Sequence, residues 1–310
     1  MQTVKTVMGL KCGGPFVEED EEYHGYCKSG QVIASSAFKV FRGSPADYKA
    51  RFIDKIDQQT ESPAMALGKM AHCLILEGRA AFDDRYEVAT PKLAEEIGLI
   101  NPKTGNPYGE STAAYQKALN AFRLRSDGRE PYGRELCSMD QWGLLSNMHE
   151  AVFGNEIACK MLSQDGLPEA VFRYPSDQLG INLQCKADKL LLDEEGKICG
   201  FVDLKTCECI HEFKRRARIF QYPQQMCFYR ETITRVCKSG LSTLEMADNF
   251  DVHLIAVEKR VPHKVGIWAF SGDLLDEMGE TLRGELVEFA RCFHSNEWPT
   301  GFEGVQEWDG

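Results

Sequence analysis

The residues with the most chemical potential lie in QCKADKLLLDEEGKICGFVDLKT, residues 184–206. Lys186 and Asp188 precede the turn signal at Glu195-Gly196, and Asp203 and Lys205 follow it. Residues paired across a hairpin have numbers that sum to a constant, so a turn centred there sets Asp188 opposite Asp203 and Lys186 opposite Lys205. The two-residue period of a strand puts all four on one face. Opposed side chains sit about 4.5 to 5.5 Å apart at Cβ, where two carboxylates repel unless a cation lies between them. A divalent metal is the natural third party. The plainer use of such a face is a solvated checkerboard in which each aspartate pairs with a lysine. Against that, Leu183, Cys185, Ala187, Val202 and Leu204 are expected on the opposite face and make these strands central. Carboxylates there are costly, and Glu169 opens the preceding strand. A carboxylate cluster on a buried sheet points to a metal site.

The elements that must hold these residues are legible around them. EAVFRYP, INLQCKADKLLLD and KICGFVDLKT read as three strands, followed by helical residues from His211, the strands DVHLIAVEK and KVGIWAF, and a final helix from Asp273. ASSAFKVFRGSPADYKARF, from Ala34, predicts a helix broken near Ser44-Pro45. SPAMALGKMAHCLILEG predicts a second, with Ser62 as cap, Pro63 at the first position and Gly78 at the stop. Its core face is Leu67, Met70, Ala71, Leu74 and Ile75, with His72 on the flank. A long helix is expected through MDQWGLLSNMHEAVFGNEIACKML. These elements predict one α/β domain over residues 31–310, a mixed sheet flanked by helices, with an N-terminal helical portion and a helical insertion at about 79–165. Residues 1–30 read as a loose acidic arm, with order expected from about residue 30.

With 310 residues, 43% of them hydrophobic, the chain has ample material for a core. A formal net charge of −11 repels polyanions, so any role on nucleic acid needs a local basic cleft. The densest basic run is Lys214, Arg215, Arg216 and Arg218. The 12 cysteines are scattered singly, as small apolar residues are in a reducing compartment. Cys207 and Cys209 lack partners at zinc-ribbon spacing, and no iron–sulfur cluster is expected. No apolar run approaches a membrane span, and a cytoplasmic location is expected.

Asp188 followed, after a hairpin, by Asp203-Leu204-Lys205 resembles the D…(D/E)xK signature of the PD-(D/E)XK nuclease superfamily. GKMAHCLILEG resembles the histidine-bearing helix of its RecB and RecE branches, and FQYPQQMCFYR their Tyr-x-x-Gln helix, here Tyr222 and Gln225. SSAFKVFRGSPADYKARF resembles the N-terminal segment of RecE-like (exodeoxyribonuclease VIII-like) phage and bacterial exonucleases. The likeness runs in order from about residue 30 to 295. It departs in two places: Ala187-Asp188 stands where the motif has Pro-Asp, and the hairpin between the two acids is short.

The resemblance implies a restriction-endonuclease-like core and a Mg²⁺ or Mn²⁺ site, with Asp188 and Asp203 as metal ligands, His72 as another and the Leu204 carbonyl as a fourth. Lys205 would orient the attacking water and stabilise phosphate charge, and Glu169 would bind a second metal or position water. Tyr222 and Gln225 would hold the scissile strand, with the basic run Lys214, Arg215, Arg216 and Arg218 supplying phosphate contacts. The implied activity is 5′ to 3′ exonuclease action on double-stranded DNA ends, leaving 3′ single-stranded tails for recombination in a bacterial or phage-infected cell. A homo-oligomeric ring and a single-strand annealing recombinase as partner are implied with it. Two alternatives stay open: an endonuclease or single-strand nuclease of the same fold, and a non-catalytic DNA-binding protein.

Overall fold

Beyond Gly166 the branched and aromatic residues fall at strand period, and there the longest strands form. The computed structural model describes residues 5–7, 10–28, 30, 32–57, 62–109, 111–123 and 133–305. Its strands are β1 (Lys5–Val7), β2 (Leu10–Phe16), β3 (Ile33–Ala34), β4 (Tyr86–Val88), β5 (Glu135–Cys137), β6 (Gly166–Ser176), β7 (Ile181–Leu192), β8 (Ile198–Cys207), β9 (Met246–Glu258) and β10 (Val265–Phe270). The main sheet has the order β1-β2-β6-β7-β8-β9-β10, with β3 paired to β7 off that path. Its ladders are antiparallel except β8–β9 and β3–β7, which are parallel. This is the expected mixed sheet of restriction-endonuclease type.

Helices cover both faces. On one, the helices Ser35–Gly43, Tyr222–Lys238 and Gly272–Ser295 bring Phe38, Phe228 and Phe289 onto Phe172 and Phe201. On the other, Met70 and Leu74 join Leu145 and Met148 of the helix Met139–Gly154 over Val202, Leu204, Ile255 and Val257. The histidine-bearing helix Pro63–His72 forms as its sequence predicts. Ser62 Oγ accepts from Met65 N at 3.3 Å, and Gly78, at φ 88°, closes the π-helical turn Cys73–Glu77 that follows. The expected long helix over 139–162 is two: it stops at Gly154, and Asn155 caps a new helix, Glu156–Ser163, through Ala158 N.

Two expectations are corrected. Residues 10–28 of the acidic arm are structured: β2 pairs with β6 and is followed by the helix Asp20–Lys28. The cause is Arg173, fully buried on β6, whose guanidinium forks onto both oxygens of Glu18, while its Nε donates to Gln184 Oε1 at 2.9 Å. A buried arginine requires such a partner, and the arm supplies it. The insertion over 79–165 is not purely helical, because β4 and β5 pair in parallel beside a small core of Leu93, Phe122 and their neighbours. Residues 1–4, 8, 9 and 29 of the arm, and 110 and 124–132 of the insertion, lie outside the described residues.

Candidate active site

The hairpin register is the expected one, but its ladder ends where the chemistry begins. Lys189 pairs with Val202, Leu190 with Phe201 and Leu191 with Gly200, and no pair follows at Asp188 and Asp203. There the Leu204 N–H donates instead to Asp188 Oδ2 at 2.7 Å, so a side chain replaces the next backbone acceptor. From that point β8 keeps only its β9 partner, which it pairs with along its whole length, and β3 pairs with β7 at Leu183 and Gln184. Between β3 and the end of the β8 ladder, β7 from Cys185 to Asp188 has no strand partner on that edge. Gly200, at φ 151°, lets β9 approach closely at the register shift of the β8–β9 ladder: a Cβ there would meet Asp251 O at 2.0 Å.

The single flat face expected for the four charged residues is therefore not formed. Leu183, Cys185 and Ala187 pack under Phe38 and Phe228, whereas Val202 and Leu204 pack under the histidine-bearing helix. Lys186 and Lys205 do not oppose each other. Lys186 Nζ lies 2.7 Å from Glu169 Oε2, and Lys205 Nζ lies 2.5 Å from Asp203 Oδ2. Strand divergence turns two like-charge pairs into two ion pairs flanking Asp188.

His72, Glu169 and Asp188 converge, each offering one ligand atom, all within 4.8 Å of one another. His72 Nδ1 is 3.5 Å from Asp188 Oδ2. Three elements supply the three groups: the last turn of the helix Pro63–His72, β6 and β7. Glu169 adopts φ 50°, a conformation unfavourable for a side-chain-bearing residue, between the ladder pairs Pro168–Lys189 and Ala170–Ala187 of β6 and β7. One imidazole nitrogen and two carboxylates are a donor set that fits a divalent cation of the Mg²⁺ or Mn²⁺ kind, the nitrogen favouring Mn²⁺. Asp203 is outside this trio: fully buried, it faces Lys205 through Oδ2 and accepts from Gln225 Nε2 through Oδ1 at 3.5 Å. Leu204 meets the cluster through its backbone, which donates to Asp188 and also interacts with His72.

Electrostatics favour occupation by a cation. Burial, then Asp188, pushes Asp203 up to about 6. Burial raises Asp188 against the opposing pull of Lys205, and Glu169 is raised by burial and then by Asp188. Burial, then Lys205, lowers His72 and keeps its imidazole neutral, the form that binds metal. Burial alone would lower Lys205, but Asp203 and Asp188 together raise it, so its ammonium stays charged.

A cleft of about 840 Å³ opens over the trio, with Tyr222, Gln225 and Tyr229 among its lining residues. Gln225 donates to Tyr229 Oη at 2.9 Å as well as to Asp203, and the Tyr222 ring lies 5.2 Å from Lys205 Nζ. The Tyr-x-x-Gln pair thus reaches the site through the Asp203–Lys205 ion pair. Lys214, Arg215 and Arg218 are exposed and Arg216 partly buried on the helix Phe213–Ile219, outside the cleft lining; Arg215 pairs with Glu212 at 3.2 Å. Sequence reasoning missed Tyr229 as a partner of Gln225, although the four-residue spacing on one helix was visible. It also missed Tyr23, whose ring lies 5.4 Å from Lys186 Nζ and which no local pattern connects to the site.

A mixed sheet that splits to present an Asp, a neighbouring Asp-x-Lys and a histidine from a covering helix is the architecture of the PD-(D/E)XK class. The chain belongs to the family described as a PDDEXK-like domain of unknown function (DUF3799), whose model matches residues 34–308. Among solved structures it is similar to one described as a "Putative exonuclease" from Eubacterium rectale, with a TM-score of 0.57 and 12% identity, covering 95% of this chain and 97% of that one. At that identity the likeness concerns the fold. No match to a curated protein was found. Among the described residues, no helix is long and apolar enough to cross a membrane.

Proposed function

We propose that this protein is a metal-dependent deoxyribonuclease that degrades one strand from the ends of linear double-stranded DNA, in the 5′ to 3′ direction, leaving 3′ single-stranded tails for recombination. The observation that carries the nuclease reading is the convergence of His72, Glu169 and Asp188 within 4.8 Å, in the cleft lined by Tyr222 and Gln225. These three residues would hold Mg²⁺ or Mn²⁺, which when bound acidifies water and screens phosphate charge. Lys205, fixed by Asp203, offers a compact ammonium to the attacking water and the phosphate oxygens. Gln225 keeps Asp203 aligned with that lysine, and Tyr222 stands beside the ammonium at the cleft wall. The direction of attack and the recombination role rest on the resemblance to RecE-like exonucleases, as do ring assembly and an annealing recombinase as partner.

The test is release of nucleotides from linear duplex labelled separately at its 5′ or 3′ ends, with Mg²⁺ or Mn²⁺, for wild type and Lys205→Ala. Early release of the 5′ label, lost in the variant, supports the reading; early 3′ release reverses the polarity. Cleavage of closed circles selects an endonuclease. Tight binding by folded protein with no release under either metal leaves a DNA-binding protein that keeps the fold.

A further inference from the structure

The rim of the cleft carries an aromatic residue that the metal chemistry leaves unused. Phe220 follows the helix Phe213–Ile219, lines the cleft and is 43% exposed, whereas along the aromatic row Tyr222 and Trp268 are half-buried and Phe213 is buried. The row runs inward from Phe220 to Tyr222 at 5.7 Å, from Tyr222 to Phe213 at 6.1 Å, and from Phe213 to Trp268, stacked at 4.4 Å. An aromatic ring held open at the outer end of a packed row is a stacking surface rather than part of a core.

The chain is shaped to hold the ring there. Gln221 adopts φ 57°, left-handed for a residue with a side chain, and makes the corner from which the helix Tyr222–Lys238 starts. Gln221 also lines the cleft, and its Oε1 is buried without a hydrogen-bond partner. Lys39, from the helix Ser35–Gly43, places its ammonium 5.3 Å from the Phe220 ring centre and makes no ion pair among the described residues. The ring and the ammonium lie together, Gln221 follows Phe220 in the chain and lines the same cleft, and Lys214 and Arg218 are exposed on the helix just before Phe220.

We infer that Phe220, Gln221 and Lys39 form a nucleotide-binding subsite that stacks an unpaired base on Phe220 and meets its phosphate with Lys39. This deepens the nuclease reading and rests on it: the strand entering the cleft is single-stranded beside the scissile phosphate, so a duplex end must fray by at least one base pair. Every base has a stacking face, so the subsite is tolerant of sequence.

Binding without divalent metal tests it, using a short single strand that carries one 2-aminopurine, and the same backbone with abasic sites throughout. Wild-type protein should change the 2-aminopurine fluorescence and bind the base-bearing strand more tightly than the abasic one. Phe220→Ala should lose the fluorescence change and weaken binding roughly fivefold to a hundredfold, while Phe220→Trp retains both. Equal wild-type affinity for the two strands, or an unchanged Phe220→Ala, overturns the subsite. Metal-dependent release from duplex ends is read separately: its absence in wild type would sink the nuclease reading while leaving the base-binding result to stand or fall alone.

Discussion

Lys205 is the residue on which the proposed chemistry most depends. Its ammonium is held 2.5 Å from Asp203, and the pair is reinforced by Gln225. Lys205→Ala should lower the rate of nucleotide release by at least about 100-fold, the scale of losing one preorganised charge at a reacting oxygen. Folding should persist, to be checked by circular dichroism. Gln225→Ala, which removes the hydrogen bonds to Asp203 and Tyr229, should cost less, with Gln225→Glu failing to rescue because it adds a fourth carboxylate to Glu169, Asp188 and Asp203. Asp203 gives a pH prediction. Its carboxyl is raised from 3.8 to about 6, so folding favours its protonated form. Between those values the metal-free folded state binds more protons than the unfolded one, and this residue's contribution makes the fold less stable as pH rises through the window and constant above it. Carboxyl-carbon NMR of the metal-free protein should give a midpoint near 6, and a midpoint below about 4 would refute the cause assigned here. Because added metal needs Asp188 and Glu169 ionised, and burial raises both, its thermal stabilisation should fade as the pH is lowered.

At the scale of elements, the site depends on strands that separate. The β7–β8 ladder gives the hairpin its register, and its termination at Lys189–Val202 frees Asp188 to bind Leu204 N–H. The arm is the second such device, since Glu18 on the chain after β2 neutralises Arg173 inside the sheet. Arg173→Met should therefore leave Glu18 without its partner and destabilise the protein by about 3–5 kcal/mol, read by chemical denaturation. The paired change Arg173→Met with Glu18→Gln should recover part of that loss; no recovery would mean that the guanidinium's contacts over the Phe16 and Tyr26 rings dominate.

For the whole molecule, the conflict between an anionic substrate and a net charge of −11 is resolved locally. Lys214 and Arg218 make no ion pair among the described residues and stand before the cleft rim, where phosphate contacts would fall. Binding to duplex ends should weaken steeply with salt, and the double variant Lys214→Ala, Arg218→Ala should reduce the slope of log affinity against log salt by about two, with single-turnover chemistry of bound DNA little changed. If the ring implied by the resemblance forms, light scattering should give a multiple of the monomer mass; a monomer at working concentration would remove it.

The sequence by itself determined much of this protein. Local signals suffice for Ser62, Pro63 and Gly78 to bound the histidine-bearing helix, and for Glu195-Gly196 to fix a hairpin whose register was then observed, because capping and turn chemistry act over a few residues. The motif Asp188…Asp203-Leu204-Lys205 was likewise readable as a candidate site. Only the tertiary structure decided how those groups divide. The pairing of Lys186 with Glu169 across β7 and β6, the entry of His72 from a helix more than a hundred residues upstream, and the withdrawal of Asp203 beneath Lys205 beyond the last β7–β8 pair are all contacts between distant segments. The same holds for the acidic arm, which looked solvated because its partner, Arg173, is distant in sequence and buried in a strand that reads as apolar. Contacts between distant segments depend on which strand edges remain open, and the period of a single strand carries no record of that.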